Sequence, residues 1–439
     1  MPETIAPAAN PAPLTTLTED EILFRDNIRQ FADERVRPLA KEMDEKGVFD
    51  KGPACSSSFQ LGLMGIEVPE QYGGGGGKFF EAILAVEELS RADASAGVIV
   101  DVQNTLVNNA LLRWATEEQQ ASAILPRMAA DTVGAYALSE AGSGSDAFAL
   151  QTKAELKGSD YVLNGRKLWI TNGKEAGVFI LFATVDPSAG YKGITAFIIE
   201  KDFSGFTVGK KEDKLGIRAS STCELILEDC RVPKEQRARR SRQGLQDRDR
   251  DARTKDASAS ARRCWASLAA PGSMPRSTRK SASSSAKPLS DFQGIQFQIA
   301  QMATDIEAAR LLVYNAARMK DAGVNFVKEA AMTKLFCSQV AERVTSLAIE
   351  IYGGYGFTKD YPVEKYWRDS KIGKIYEGTS NMQLADDRQA CDGRKITLHG
   401  PTENVDQPLP QAPRSAGAQT RPLPKSRFRA TSGRIKSPQ

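Results

Sequence analysis

Along the 439-residue chain, apolar positions recur at helical spacing, then in short β-rich runs, then at helical spacing again. Thr18-Glu19-Asp20-Glu21 has capping-box spacing, and Phe24, Ile28 and Phe31 follow at intervals of three and four, so a helix is expected to start near Thr18. The same character continues to about Ala130. It is interrupted by the glycine run Gly73 to Gly77 and resumes at Ile83, Val86 and Ser90, then from Leu106 to Leu112.

From about Thr132 the period changes. Tyr161-Val162-Leu163 and Lys167-Leu168-Trp169-Ile170 flank Asn164-Gly165, a dipeptide that favours a tight hairpin. Further β-rich runs lie at Val178 to Thr184, Thr195 to Ile199 and Cys223 to Leu227. Helical spacing returns at Asp291, where Phe292, Ile295, Ile299, Met302, Ile306, Ala309 and Val313 form the stripe of one buried helix face. A second helix places Phe336, Val340, Val344, Leu347 and Ile351 on one face and should stop at Gly353-Gly354, where glycine permits a left-handed cap. The expected fold class is multi-domain α+β: a helical N-terminal domain over 18–131, a central β-barrel or sandwich domain over 132–236, and a C-terminal helical bundle over 288–385.

Three stretches fall outside this pattern. Residues 1–17 carry no period and are expected to be disordered. Residues 237–287 hold fourteen Lys or Arg against four Asp, and only Leu245, Trp265, Leu268 and Met274 are large and apolar, so the segment cannot supply a core helix. Residues 386–439 are similar, with ten basic and five acidic residues, and are expected to form a disordered tail. These two basic stretches contribute +10 and +5 to a total charge of +4, which leaves −11 on the rest. The basic balance therefore does not describe the folded part. A nucleic-acid partner is not expected, because the basic residues are not interleaved with aromatics or set in a recognised module.

Composition then narrows the chemistry. No run of about 18 apolar residues could span a membrane, and Met1 to Leu17 lacks an apolar signal core. The first arginine is Arg25, which argues against an intact Arg-rich transit peptide. The six cysteines form no Cys-x-x-Cys pair and no small-domain disulfide framework, so free thiols in a reducing compartment are expected. The only histidine is His399, far from any acidic or cysteine cluster. Ser-His-Asp, Cys-His and His-metal chemistry are excluded, no metal is expected, and catalysis falls to carboxylates or a cofactor.

Three motifs can carry such chemistry. Tyr136-Ala137-Leu138-Ser139-Glu140-Ala141-Gly142-Ser143-Gly144-Ser145-Asp146 offers hydroxyls and accessible backbone amides to an anionic cofactor, though an ordinary turn explains it as well. It has neither the Lys-Ser/Thr ending of a P-loop nor a following crossover helix. Trp169-Ile170-Thr171 sets a flat ring beside a hydroxyl at a strand end, as a cofactor platform or as a core tryptophan. Ile375-Tyr376-Glu377-Gly378-Thr379-Ser380 sets a carboxylate among apolar and small groups, where desolvation strengthens a base; a surface glutamate is the alternative.

These motifs, in this order along a helical, β, helical chain, resemble the acyl-CoA dehydrogenase family, and within it the short/branched-chain type. The resemblance runs from about Leu17 to Pro233 and from Lys287 to Ala385. It includes Gly65-Ile66-Glu67-Val68-Pro69, Tyr191-Lys192-Gly193-Ile194-Thr195, Leu215 to Thr222 and Asp360-Tyr361-Pro362-Val363-Glu364-Lys365. It implies a homotetrameric FAD enzyme of fatty acid and branched-chain amino acid catabolism. Such an enzyme converts a short or branched acyl-CoA to its trans-2-enoyl-CoA and passes electrons to electron-transfer flavoprotein. Glu377 would take the α-proton and the flavin the β-hydride.

By the same resemblance, flavin contacts fall on Tyr136, Ala137, Leu138, Ser139, Gly142, Gly144, Ser145, Trp169, Ile170, Thr171, Gln293, Glu350, Ile351, Tyr352, Gly353, Gly354, Thr379, Ser380 and Asn381, some from a neighbouring subunit. Ser145, Tyr191, Tyr376 and Gly378 match substrate contacts. The implied location is the mitochondrial matrix in a eukaryote and the cytoplasm otherwise. Competing readings are an acyl-CoA oxidase-like flavoenzyme, separable by its electron acceptor, and a flavin-poor scaffold or binding protein, separable by flavin absorbance.

The family pattern fails over 237–287. A helix with a Glu-Gly-Arg run and a later Arg-Lys-x-Phe-Gly run is expected there, yet the Glu-Gly-Arg place falls near Thr254 to Ala257 and the flavin arginine on Ala282. One bundle helix is therefore read as replaced. Unchanged spacing between the flanking blocks suggests a frameshift out near Gln236 and back near Lys287, with another after Ala385. Re-reading the coding DNA in the other frames tests that origin.

Overall fold

The computed structural model describes residues 13–49, 52–119, 124–238, 283–284 and 287–385. The helical, β, helical order holds. In the N-terminal part, α1 (Glu19–Phe31) opens on the expected capping box: the Glu21 N–H donates to Thr18 Oγ1 at 3.3 Å and the Thr18 N–H to Glu21 Oε2 at 3.0 Å. Next come α2 (Ala40–Lys46), α3 (Pro53–Gln60), α4 (Phe79–Ala92) and α5 (Ala94–Asp101). A π-helical stretch, Val102–Asn108, joins α5 to α6 (Asn109–Trp114), and α7 (Leu125–Ala130) closes the set.

The middle part is a seven-stranded sheet: β1 (Gly134–Ala137), β2 (Lys153–Lys157), β3 (Asp160–Thr171), β4 (Val178–Thr184), β5 (Ile194–Glu200), β6 (Phe206–Lys211) and β7 (Thr222–Pro233). Its order is β1-β4-β2-β3-β7-β6, with β5 also paired to β4. Every residue of β4 is buried because both faces are covered. Val178, Ile180 and Phe182 meet Val98, Val102, Leu111 and Met128 of the helical part, while Phe179 and Leu181 pack with Phe197, Phe206 and Leu225 on the opposite face.

The expected hairpin at Asn164-Gly165 is not a turn. β3 runs straight through it, and the pairing with β7 slips one residue between Leu163 and Gly165, a β-bulge. Gly165 sits at φ +153, and a Cβ there would lie 2.5 Å from Thr152 Oγ1, so a glycine is needed for close approach. The turn lies one step earlier, at Gly158-Ser159 between β2 and β3. The ordered β part also runs past 236. Arg237 donates to the Tyr161 hydroxyl at 2.7 Å and the Ala238 N–H to Ala196 O at 3.0 Å.

The C-terminal part holds α8 (Gln293–Asp321), α9 (Val327–Tyr352) and α10 (Val363–Ser370). Met302, Ala309, Val313 and Tyr314 of α8 pack with Val340, Ala341 and Val344 of α9 and with Phe79, Phe80, Ile83 and Leu84 of α4. The N-terminal helices thus lie between the sheet and this pair. Asp321 accepts the N–H groups of Phe79 and Phe80 at 3.0 Å each and so caps α4 from the end of α8; burial pushes its carboxyl up despite those bonds. Bidentate Arg318 to Glu21 ties α8 to α1.

The expected stripe on α8 is buried only in part. Phe292 is 39% exposed and Phe297 68%, and no apolar cluster among the described residues includes Phe292, Ile295 or Phe297. α4 reaches only the later turns. On α9 the buried face is lined by small residues, Cys337, Ala341 and Ala348 beside Val340 and Val344, with Phe336, Leu347 and Ile351 at its edge. The helix ends at Tyr352, with Gly353 at φ +58 as the cap. The start of the expected disordered segment belongs to the β part, and its end pairs Ser283–Ser284 with Lys287–Pro288. Residues 1–12, 239–282 (with Thr254 to Ala257 and Ala282) and 386–439, for which the sequence predicts disorder or a replaced helix, lie outside the described residues.

Candidate active site

The run after β1 and the end of β3 are held together by a buried ion pair. Lys167 Nζ donates to Glu140 Oε1 at 2.6 Å and to Leu138 O at 3.1 Å, and the Leu168 N–H donates to Ser139 O at 2.9 Å. Glu140 also accepts from the Gln151 N–H at 2.6 Å, the Thr152 N–H at 3.1 Å and Thr152 Oγ1 at 2.5 Å. With its core side fastened, the run turns outward: Gly142, Gly144 and Ser145 are exposed, and Tyr136, Leu138 and Ser139 are half-buried. Trp169 is 56% exposed and held at φ +59, which no core tryptophan requires. Thr171 beside it is half-buried, whereas Ala137 and Ile170 are buried and offer only backbone. An exposed flat ring beside hydroxyls and open amides is the donor set of a polar, aromatic cofactor.

Glu140 and Lys167 were missed as a functional pair, although both lie in the quoted runs. Burial pushes Glu140 up, but the Lys167 charge and the bonds from Lys167, Thr152 and Gln151 outweigh it and hold the carboxyl below its ordinary 4.5. Burial lowers Lys167 to about 8, with Glu140 opposing. The carboxylate's contribution to stability is therefore complete above 4.5 and lost as pH falls through the lower folded value. Going from about pH 6 to about pH 3 should cost the unmodified chain more stability than a Glu140→Gln variant. Denaturant midpoints at the two pH values check this, and parallel losses in both proteins would refute it.

The loop after α10 carries the candidate base. Glu377 is half-buried and left-handed at φ +53, followed by Gly378 at φ +90. A Cβ on Gly378 would meet Gln383 Nε2 at 2.6 Å, the movable end of a side chain, so it is the positive φ that favours glycine here. The loop is anchored from α9: Lys334 Nζ donates to Gly378 O at 2.6 Å and to Gly373 O at 3.1 Å. Ile372, just before the loop, packs on the same cluster as Tyr136 and Leu138, which brings the loop's base towards the β part. Thr379 and Ser380 are half-buried and Asn381 is exposed.

Tyr191 comes to the Ser145 side of the first run, its ring 5.7 Å from that of Phe148. Gln293 is exposed at the first residue of α8. Glu350, Ile351 and Tyr352 form the last turn of α9, and Gly353 and Gly354 beyond them are open to solvent. Among the described residues no group of three His, Cys, Asp or Glu could hold a metal ion, and no helix is long and apolar enough to cross a membrane.

The three-part chain has counterparts. Family models for the acyl-CoA dehydrogenase N-terminal, middle and C-terminal domains match residues 18–132, 135–230 and 272–388, and the chain belongs to the acyl-CoA dehydrogenase family. It is 50% identical over 381 residues to the "Probable short/branched chain specific acyl-CoA dehydrogenase" of Dictyostelium discoideum, covering 85% of this chain and 90% of that one. It is 44% identical over 379 residues to the mitochondrial short/branched chain specific enzyme of Rattus norvegicus, covering 85% and 86%. Among solved structures, butyryl-CoA dehydrogenase from Megasphaera elsdenii matches with a TM-score of 0.82 at 38% identity, over 85% of this chain and 98% of that one. The chain is thus an FAD-dependent oxidoreductase of acyl-CoA thioesters.

Proposed function

We propose that the chain oxidises short or 2-methyl-branched acyl-CoA at Cα and Cβ, with Glu377 as the base, and that 2-methylbutyryl-CoA is among its substrates. The observation that carries this reading is the strained, anchored loop: a glutamate held left-handed beside a positive-φ glycine is the kind of outlier that marks a functional position. Bound FAD supplies the hydride-accepting chemistry. The flavin's holders are Tyr136 to Ser145, Trp169 to Thr171 and Thr379 to Asn381, with Gln293 and Glu350 to Gly354 serving a neighbouring subunit of a homotetramer. The exposed Ser145, Gly142 and Gly144 of the first run, and the open ring of Trp169, support that assignment.

The chain's own groups then have distinct tasks. Ser145 and Tyr191 hold the acyl-CoA, and Tyr376 and Gly378 wall the reacting carbons. The Glu377 carboxylate receives the α-proton, and its backbone N–H donates to the thioester oxygen as negative charge develops there. The units are a helical part over 18–131, a β part over 132–238 and a bundle over 288–385. Electrons leave to electron-transfer flavoprotein, in the mitochondrial matrix of a eukaryote or the cytoplasm of a bacterium. The test is a substrate and acceptor panel. Turnover with 2-methylbutyryl-CoA and butyryl-CoA should exceed that with octanoyl-CoA by at least about tenfold, and electron-transfer flavoprotein should outpace oxygen as acceptor. Preference for octanoyl-CoA, or for oxygen, would overturn this reading.

A further inference from the structure

We infer that Lys334 is the positioning residue of the proton-abstracting loop, a role that rests on the reading of Glu377 as the base. Lys334 lies in the middle of α9 and is 1% exposed, on the face that also buries Ala330, Cys337 and Ala341. A lysine buried on an apolar helix face persists where its protons are satisfied, and here two of its hydrogen bonds go to one short segment. Its Nζ donates to the carbonyls of Gly373 and Gly378, at 3.1 and 2.6 Å, and lies 5.8 Å from the centre of the Tyr376 ring. The two carbonyls bracket the segment whose last residues, Glu377 and Gly378, are both left-handed.

Gln383, 2% exposed, adds a neutral hydrogen bond to the same Gly378 oxygen at 3.2 Å. An unfavourable backbone state survives only where its surroundings over-determine it. Charge-assisted donation to both ends of the segment is stronger than the neutral bond from Gln383. Lys334 Nζ is bonded to backbone carbonyls of the loop. It acts through the conformation of Glu377, fixing where the carboxylate and its neighbouring N–H point.

The test compares the full chain with Lys334→Met, Glu377→Gln, the double variant and Gln383→Leu. By amide hydrogen exchange, Lys334→Met should speed exchange over 373–383 by roughly tenfold to a hundredfold, with β4 and α8 unchanged. Gln383→Leu should speed the same segment by about threefold, which keeps the idea testable should Lys334→Met fail to fold. Turnover on butyryl-CoA should fall by roughly the same factor as the exchange changes, with KM within about threefold. In the Glu377→Gln background, Lys334→Met should cause no further loss of rate. Unchanged exchange over 373–383, uniform acceleration along the whole chain, or equal losses of rate in both backgrounds would each overturn the inference. Undiminished turnover in Glu377→Gln alone would instead remove the base assignment, and the exchange results distinguish that failure because they do not depend on activity.

Discussion

Replacing Glu377 with glutamine should lower kcat on short acyl-CoA substrates by roughly 10²- to 10⁴-fold, the usual contribution of a positioned general base. Glutamine keeps the shape of the side chain and the backbone N–H but cannot accept the α-proton. Binding should therefore change little, with KM for butyryl-CoA within about threefold of the unmodified chain. The geometry supports so specific an effect: the residue is half-buried, left-handed at φ +53, and its loop is fastened at Gly373 and Gly378. Steady-state rates with an artificial electron acceptor make the comparison. A variant that turns over within about threefold of the parent would not have lost its base.

The largest effect on stability is expected at Lys365. Its Nζ lies 2.6 Å from Asp369 and 2.8 Å from Asp93, and the other Asp369 oxygen accepts the Ile217 N–H at 2.5 Å. One buried cation therefore joins α10, the start of α5 and the loop before β7, and so all three parts of the fold. Burial disfavours the ammonium, but the two carboxylates outweigh it and hold Lys365 above its ordinary range. Its contribution is accordingly in full force at neutral pH and would fade only as pH rises through that raised value. Lys365→Met leaves two buried carboxylates without their cation and should cost about 3–5 kcal/mol. Lys46→Met, which breaks an exposed pair with Glu42, should leave the denaturant midpoint unchanged and serves as the control. Equal midpoints for Lys365→Met and the parent would show that the triad contributes nothing.

Local signals were legible where one segment held all the needed information. The capping box at Thr18, the β-rich run of β4 and the helix stop at Gly353 depend on neighbours in the chain, and each lies where expected. Asn164-Gly165 misled because a bulge and a hairpin ask for the same glycine; the choice was made by β7 and by Thr152, which are distant in sequence. Phe292 and Ile295 continue the α8 stripe, but a stripe says nothing of how far its partner extends. Among the candidate site residues, the Tyr136 to Asp146, Trp169 and Glu377 motifs each lie within one run and could be singled out as candidates. Their supports could not, since Glu140 meets Lys167 across 27 residues and Lys334 meets Gly378 across 44. A trace existed for Lys334: a lysine in register with Ala330, Cys337 and Ala341 on a buried face is out of place unless its charge is used.

Flavin binding by this chain and α-proton removal by Glu377 can be read in one experiment. Anaerobic mixing of the purified full chain with butyryl-CoA, followed by flavin absorbance, tests both parts at once. The flavin should bleach rapidly in the parent and at least about 100-fold more slowly in Glu377→Gln. A parent without flavin absorbance, or a variant that bleaches at the parent's rate, would contradict the account.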